Sequence, residues 1–530
     1  MMKRHWPAFA GIAILIIGLF VCFLVSAQHT DGKLIYPIDD TYIHMAMARN
    51  FAEHQIWGGD LSGFSSTTSS PLYTFFLAVA YKVFGTNIFF PLVLNILFGI
   101  AICILLGRIF NRLHFHPFFS FSVITLIVLI TPLWTLVYLG MEHTLHSFLS
   151  ILFVYYAGRY LGSVKEKKES AIILLVTAPM LLATRYESLF ILGIVVGMLC
   201  LKKEFLFGLK LFAAGCMPII LYGLLSVSKG WYFFPNSVLL KGGQHAHFSL
   251  NGLLKYLELI VYKCPHLYVL IFLLLLLSAI QFLRKKTFVD APFLMAVITL
   301  LGIFSHLFFA RIGWFYRYES YLIAVALFVI AVLIRETVDW QAVRRWPFVS
   351  ISLLFLTALF LTLPLIGRVK SALVKLPFAT KNIYEQQCQM AFFVREFYND
   401  QKVAINDIGA VTYFSNADVF DLIGLMDMDI ARAQKNKKSF PDRLYDLIKE
   451  EGSKIAIVNE GAFKHRPLPD HWTQVGRWQI LNNVVCCRDT IAFYSLNLQE
   501  QNHLINCLQS YSTKLPADVV QSGLYMKQDE

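Results

Sequence analysis

The chain has 530 residues, 57% of them hydrophobic, 15% aromatic and only 15% charged. A soluble globular protein carries roughly 25% charged residues, so the composition excludes one and predicts a chain with many membrane spans. The net charge of +12 is no nucleic-acid signature, because much of it lies in short loops between apolar runs, where positive charge marks the cytoplasmic side.

The basic start Met1-Met2-Lys3-Arg4-His5 leads into an apolar run from Pro7 to Ala27. A cleaved signal peptide has a core of about 7–15 apolar residues. This run is longer and predicts a retained first span with a cytoplasmic N-terminus, although Val25-Ser26-Ala27 would pass as a cleavage site. Ten more runs follow at 88–107, 118–138, 143–161, 170–185, 188–201, 205–226, 262–283, 290–310, 319–335 and 346–366. Basic clusters bound alternate ends: Arg108/Arg112, Lys165/Lys167/Lys168, Lys202/Lys203, Arg284/Lys285/Lys286 and Arg335/Arg344/Arg345. Setting all of them inside gives eleven spans, with the N-terminus in and the C-terminus out. Residues 71–86, in the first outer loop at 28–87, are shorter than the ~20 a span needs. They are expected as a re-entrant or interfacial helix; if they span, the count becomes twelve or thirteen.

The tail, 367–530, changes character. Strands are expected at Lys402–Asp407, Val419–Ile423, Lys454–Val458 and within 484–496, with helices at Val411–Ser415 and 441–451. Strands alternating with helices predict a small α/β domain. Cys22, Cys103, Cys200, Cys216 and Cys264 lie in apolar segments, as packing residues do. Cys388, Cys486, Cys487 and Cys507 lie in the tail, where an outward placement would permit one disulfide. No metal-like Cys spacing occurs.

Polar motifs in apolar surroundings fall on one side of this topology, the outer one. The first is Asp39-Asp40, in Pro37-Ile38-Asp39-Asp40-Thr41-Tyr42-Ile43-His44. Carboxylates beside a bilayer are costly. One serves as the N-cap of the helix that follows, which leaves the other free for catalysis. Asp40 and His44 share a face of that helix, and Arg49 and Glu53 are spaced as a surface ion pair. The hydroxyl-rich loop Ser65 to Ser70 suits either a sugar or phosphate site or the entry to a Pro-started helix. Glu142, His143, Glu187, Asn236 and Tyr318 are candidates for orienting a substrate. Arg185, Lys241 and Arg317 are cations at outer ends of apolar runs, and a phosphate would satisfy them. Pairing with Glu142, Glu187 or Glu319 would satisfy them equally well. Trp231, Tyr232 and Trp314 suit a pocket wall or the membrane interface. Asn406-Asp407 reads as a turn closure.

In their order, these motifs resemble the GT-C glycosyltransferases, multi-span enzymes that take sugars from polyprenyl phosphates. They are Ile38-Asp39-Asp40-Thr41-Tyr42-Ile43 with Ala48-Arg49-Asn50, Gly140-Met141-Glu142, Thr184-Arg185-Tyr186-Glu187, Pro235-Asn236-Ser237 with Lys241, and Arg317-Tyr318. The branch they look most like contains the mycobacterial terminal arabinofuranosyltransferase; protein O-mannosyltransferases and the lipid A aminoarabinose transferase are more distant. The tail run from Val403 to Ala410 and Asp421 to Leu425 is similar to the same branch. The resemblance implies a transmembrane domain at 1–366 and an extracytoplasmic α/β domain at 367–530. It implies a multi-pass protein of a bacterial inner membrane with its tail in the periplasm. It implies transfer of a hexosyl or pentosyl group to a cell-envelope glycan, lipopolysaccharide or protein, by inverting displacement, with Asp39 or Asp40 as general base. Arg185, Lys241 and Arg317 would hold the donor phosphate. No cofactor is fixed: some GT-C enzymes use a divalent metal and others none, and no second acidic cluster matches a metal-dependent pattern. The branch often has Arg-Pro-Glu where Arg185-Tyr186-Glu187 stands, and Thr where Ser237 stands. Two other readings compete: a glycan polymerase or ligase using pyrophosphate-linked donors, and a transporter of lipid-linked sugars. Absent repeat pairs and one-sided charges weigh against the transporter.

Overall fold

The computed structural model describes residues 2–163, 166–241, 258, 262–338, 348–435, 440–461, 468–469 and 472–526. Six of its helices are long and apolar enough to cross a membrane: His5–Ala27, Phe90–Arg112, Phe205–Ser228, Pro265–Lys285, Ala291–Phe309 and Ser320–Thr337. Their outer faces carry large bare side chains, such as Phe9, Ile17 and Leu206, each more than three-fifths exposed. Water would not tolerate such a band; hydrocarbon does. The other described runs form shorter or more polar helices. The run at 118–138 is broken at Thr131-Pro132 into Pro117–Ile130 and Leu133–Tyr138, as proline removes a helical donor. The segment expected at 71–86 is the fourteen-residue helix Pro71–Phe84, about 21 Å long at 1.5 Å per residue.

Helix α1 is Met2–Ala27, α2 is Asp40–His54 and α3 is Pro71–Phe84. Ten of the fifteen residues of α2 are buried. It packs against α3 on one side and against the Gly409–Phe414 helix of the tail on another. A long helix, Phe348–Ile383, carries the chain from the helical region into the tail.

The tail is built on six strands: β1 (Lys402–Ile405), β2 (Asp418–Asp421), β3 (Ile455–Asn459), β4 (Thr473–Gln479), β5 (Thr490–Ser495) and β6 (Val520–Gly523), in the order β2-β1-β3-β5-β4-β6. β1 pairs in parallel with β2 and β3, and the remaining pairs are antiparallel. The stretch 484–496 holds one strand, β5. β4 and β6 have no counterpart in the sequence expectations, because β4 shows no clean alternation of buried and exposed positions and β6 is mostly exposed. Phe393, Trp478, Phe493 and Tyr511 pack ring on ring to form the core on one face of the sheet. All nine cysteines are free thiols, so the tail disulfide is not formed.

Candidate active site at the junction of helices and tail

Asp39 occupies the N-cap position of α2, yet its side chain makes no capping bond there. It turns to the tail instead. Oδ2 accepts the Gly409 N–H at 2.7 Å and Oδ1 accepts the Ala410 N–H at 2.8 Å. These amides open the Gly409–Phe414 helix, where unsatisfied N–H groups attract an anion. The C-terminal end of that helix is met by Arg49, which donates to the carbonyls of Tyr413 at 2.7 Å and Thr412 at 3.1 Å. α2 therefore presents an acid to one end of the tail helix and a base to the other, matching its dipole. This corrects two expectations. Asp39, at the N-cap position, does not cap α2 through its side chain, and Arg49 does not pair with Glu53, whose carboxylate takes the Thr86 hydroxyl at 2.5 Å.

Gly409 is required by this contact. A Cβ there would lie 2.2 Å from the Asp39 carbonyl oxygen and 2.7 Å from its carboxylate. Burial, followed by the nearby Asp407 carboxylate, pushes Asp39 up to about 7, against the two N–H bonds that pull it down. Asp407 follows β1 at the carboxyl ends of the parallel strands. Its Oδ2 accepts from Gln387 Nε2 at 3.0 Å and Asn459 Nδ2 at 2.8 Å. Asn406 Oδ1 accepts the Asn459 N–H at 2.9 Å, which ties the ends of β1 and β3 together.

Asp40 lies beside Asp39 and turns the other way. Its Oδ2 is 2.7 Å from Nη2 of Arg317, and the Asp40 side chain keeps 26% exposure while that of Arg317 keeps 3%. Nη1 of Arg317 lies 2.9 Å from the Met141 sulfur. The Tyr318 ring lies between two guanidinium groups, Arg317 at 4.9 Å and Arg185 at 5.6 Å. Arg185 is gripped by Glu142 at 2.7 Å and by both oxygens of Glu187, at 3.1 and 2.5 Å. Glu142 also lies 3.5 Å from His44 Nε2, whose Nδ1 meets the hydroxyls of Thr74 and Thr68 at 2.9 and 3.0 Å. His143 sets its ring edge against Tyr318. Gly140 makes the turn into this group at φ +66, a conformation rare for other residues, with the Tyr36 ring where a Cβ would point.

Nine of the residues singled out in the sequence thus converge: Asp39, Asp40, His44, Glu142, His143, Arg185, Glu187, Arg317 and Tyr318. Asn236 does not join them. Its Nδ2 donates to the Gly424 carbonyl at 2.8 Å, and Thr67 in the hydroxyl loop donates to the Leu425 carbonyl at 3.1 Å, so both help to seat the tail. Lys241 ends the Asn236–Lys241 helix, and its side chain lies outside the described ones. A separate group joins Glu319 to Arg368 at 2.6 Å and places His266 within 3.8 Å. Cys264, His266 and Glu319 bring potential metal-ligand atoms within 4.8 Å of one another, but the Arg368 guanidinium already neutralises the glutamate there.

Two cavities open beside these groups. One, of about 560 Å³, has Asp39, Asp40, Asp407, Gln387, Asn483 and Trp314 on its walls, together with Cys486 and Cys487. The other, of about 500 Å³, is lined by Lys263, His266, Arg368 and Lys375 among others, and shares Trp314 and Val484 with the first. Gln387, Asn459 and Arg368 had no signal in the sequence, since their partners are far away along the chain. Asp407 was visible only as a turn residue.

Fold and site define a multi-pass helical membrane protein with a buried charged centre next to a C-terminal α/β domain. Residues 381–495 match a domain family described as "Domain of unknown function (DUF8728)". No curated protein matches the chain. Among solved structures it is similar to ArnT from Cupriavidus metallidurans bound to undecaprenyl phosphate, at 12% identity and a TM-score of 0.49, covering 92% of this chain and 98% of that one. The apo state of the same protein gives 10% identity, a TM-score of 0.47 and the same coverage.

Proposed function

We propose that this protein is a membrane glycosyltransferase that moves a hexosyl or pentosyl group from a polyprenyl phosphate to a cell-envelope acceptor on the outer face of a bacterial inner membrane. The observation that carries the reading is Asp39: a deep carboxylate pushed up to about 7, on a cavity wall, next to an Asp40–Arg317 pair. A carboxylate with that affinity is matched to taking a proton at neutral pH. Asp39 takes the proton of the acceptor hydroxyl as its oxygen bonds to the anomeric carbon. The bond from that carbon to the phosphate oxygen breaks on the opposite face, and polyprenyl phosphate leaves with the electron pair. The sugar inverts, and no covalent enzyme intermediate is needed.

Arg317 faces the charge that develops on the leaving phosphate, with Asp40 fixing its position. Lys263, Arg368 and Lys375 in the neighbouring cavity extend the positive field. Arg185 is closed in by two glutamates and braces Tyr318 and Glu142 instead. Lys241 keeps its candidacy for the phosphate by its place in the sequence. The test is turnover of a panel of polyprenyl-phosphate-linked hexoses and pentoses by purified wild-type protein and Asp39→Asn. Wild-type turnover lost in the variant is expected. No turnover with any donor in the wild type rejects this reading in favour of a pyrophosphate-linked donor or a transport role.

A further inference from the structure

The cavity that holds Asp39 has a one-sided chemistry. Beside the thiols of Cys486 and Cys487, its polar wall consists of three carboxylates and two amides: Asp39, Asp40, Asp407, Gln387 and Asn483. Among the described residues, no Lys, Arg or His lines it. Ionised carboxylates only accept hydrogen bonds, so the groups that suit them are hydroxyls and other donors. A phosphate or carboxylate entering here would find no cation on the wall and would face Asp407 and, once deprotonated, Asp39, while Asp40 is already paired with Arg317.

Two further observations bear on what enters. Trp314 is 46% exposed and stands where the acidic cavity meets the cationic one. A bare indole on a pocket wall is a platform for an apolar, flat face, which the C–H side of a sugar ring provides. Asp407 is held in place from two other elements, by the Gln387 and Asn459 amides on its Oδ2. An aspartate that merely closes a turn bonds backbone two residues on. One clamped by side chains of a distant helix and strand is pre-organised for a ligand.

We infer that the acceptor is an uncharged, hydroxyl-rich sugar, hydrogen-bonded by Asp407 and stacked on Trp314, while the anionic part of the donor keeps to the cationic side. The inference rests on the transferase reading above and adds the acceptor's class. Asp407 and Trp314 are positioning residues: they hold the hydroxyl in line with Asp39.

The test uses the full-length protein in lipid nanodiscs, with the donor panel above and two acceptor sets: neutral oligosaccharides, and the same oligosaccharides carrying a phosphate ester. Neutral acceptors are expected to be used with kcat/KM at least about tenfold above the phosphorylated ones. Asp407→Asn and Trp314→Ala should raise acceptor KM more than they lower kcat, with Asp407→Glu and Trp314→Phe restoring part of the loss. Equal or better use of phosphorylated acceptors overturns the inference, as does a fall in kcat with acceptor KM unmoved. Donor hydrolysis by wild type without acceptor reports on the transferase reading alone. If it occurs and acceptors are not discriminated, only the acceptor class is wrong; if no donor turns over, both fall.

Discussion

Two adjacent aspartates do different work because their neighbours differ. Asp39 is buried beside another carboxylate and bonded by two backbone amides; Asp40 has a guanidinium at 2.7 Å. In the proposed role of base Asp39 must be deprotonated, and burial with Asp407 raises its pKa. Log(kcat/KM) is therefore expected to rise with unit slope below about pH 7 and to level off above it. Asp39→Asn should cost roughly 10²–10⁴ in kcat, the range of a lost general base. A flat profile between pH 5 and 8, or an active Asn variant, would transfer the role to Asp40. Arg185 makes a contrasting case. Its fork grips Glu142 and Glu187, a geometry lysine cannot reproduce. Arg185→Lys should lower thermal stability by about 1–3 kcal/mol, the value of charge-assisted bonds lost, with donor KM nearly unchanged. A large rise in donor KM with stability intact would show Arg185 on the phosphate after all.

At the scale of elements, the short Gly409–Phe414 helix links the tail to α2. It is six residues long, too short to be stable alone, and it is held at both ends by α2 through Asp39 and Arg49. Gly409→Ala forces a Cβ into the Asp39 backbone and carboxylate. Overpacking of this kind costs about 1–3 kcal/mol, and it should also move the ascending limb of the pH profile, because the amides that bond Asp39 shift. Arg49→Ala should destabilise by about 1–2 kcal/mol through its two lost carbonyl bonds while leaving that limb in place. Differential scanning fluorimetry with pH–rate profiles separates the two; identical effects would mean that the helix is only a structural strut. The pieces of this contact were legible in different degrees. The Asp39-Asp40 motif and the Asn406–Gly409 turn each stand out in sequence. Their meeting across 370 residues does not, since no local pattern encodes it. Arg49 was misread for the same reason: i,i+4 spacing to Glu53 is a local signal, and a tail carbonyl outcompetes it.

For the whole molecule, the helical region was legible because length and apolarity are enough to mark a membrane helix. Each of the six long helices overlaps an expected run, and five of them extend past one end of it. The break at Pro132 was not legible, because the apolar run at 118–138 continues through it, whereas His143–Gly162 was visible as the run at 143–161 and the pairing of Arg185 with Glu142 and Glu187 as one of two alternatives. The tail gives Asp39 its two N–H partners and contributes Asp407 to the same cavity. Removing residues 380–530 should therefore abolish transfer to every acceptor, not merely change the product profile. The Asp40–Arg317 pair joins the first residue of α2 to the turn before Ser320–Thr337, so the truncated chain should still bind polyprenyl phosphate if it inserts and folds. Binding of a polyprenyl phosphate to the truncated protein in nanodiscs, alongside a transfer assay, decides the matter. Retained binding with no transfer places catalysis at the junction. Retained transfer would mean that the carboxylate works without the tail amides, and Asp39 would lose its claim as the base.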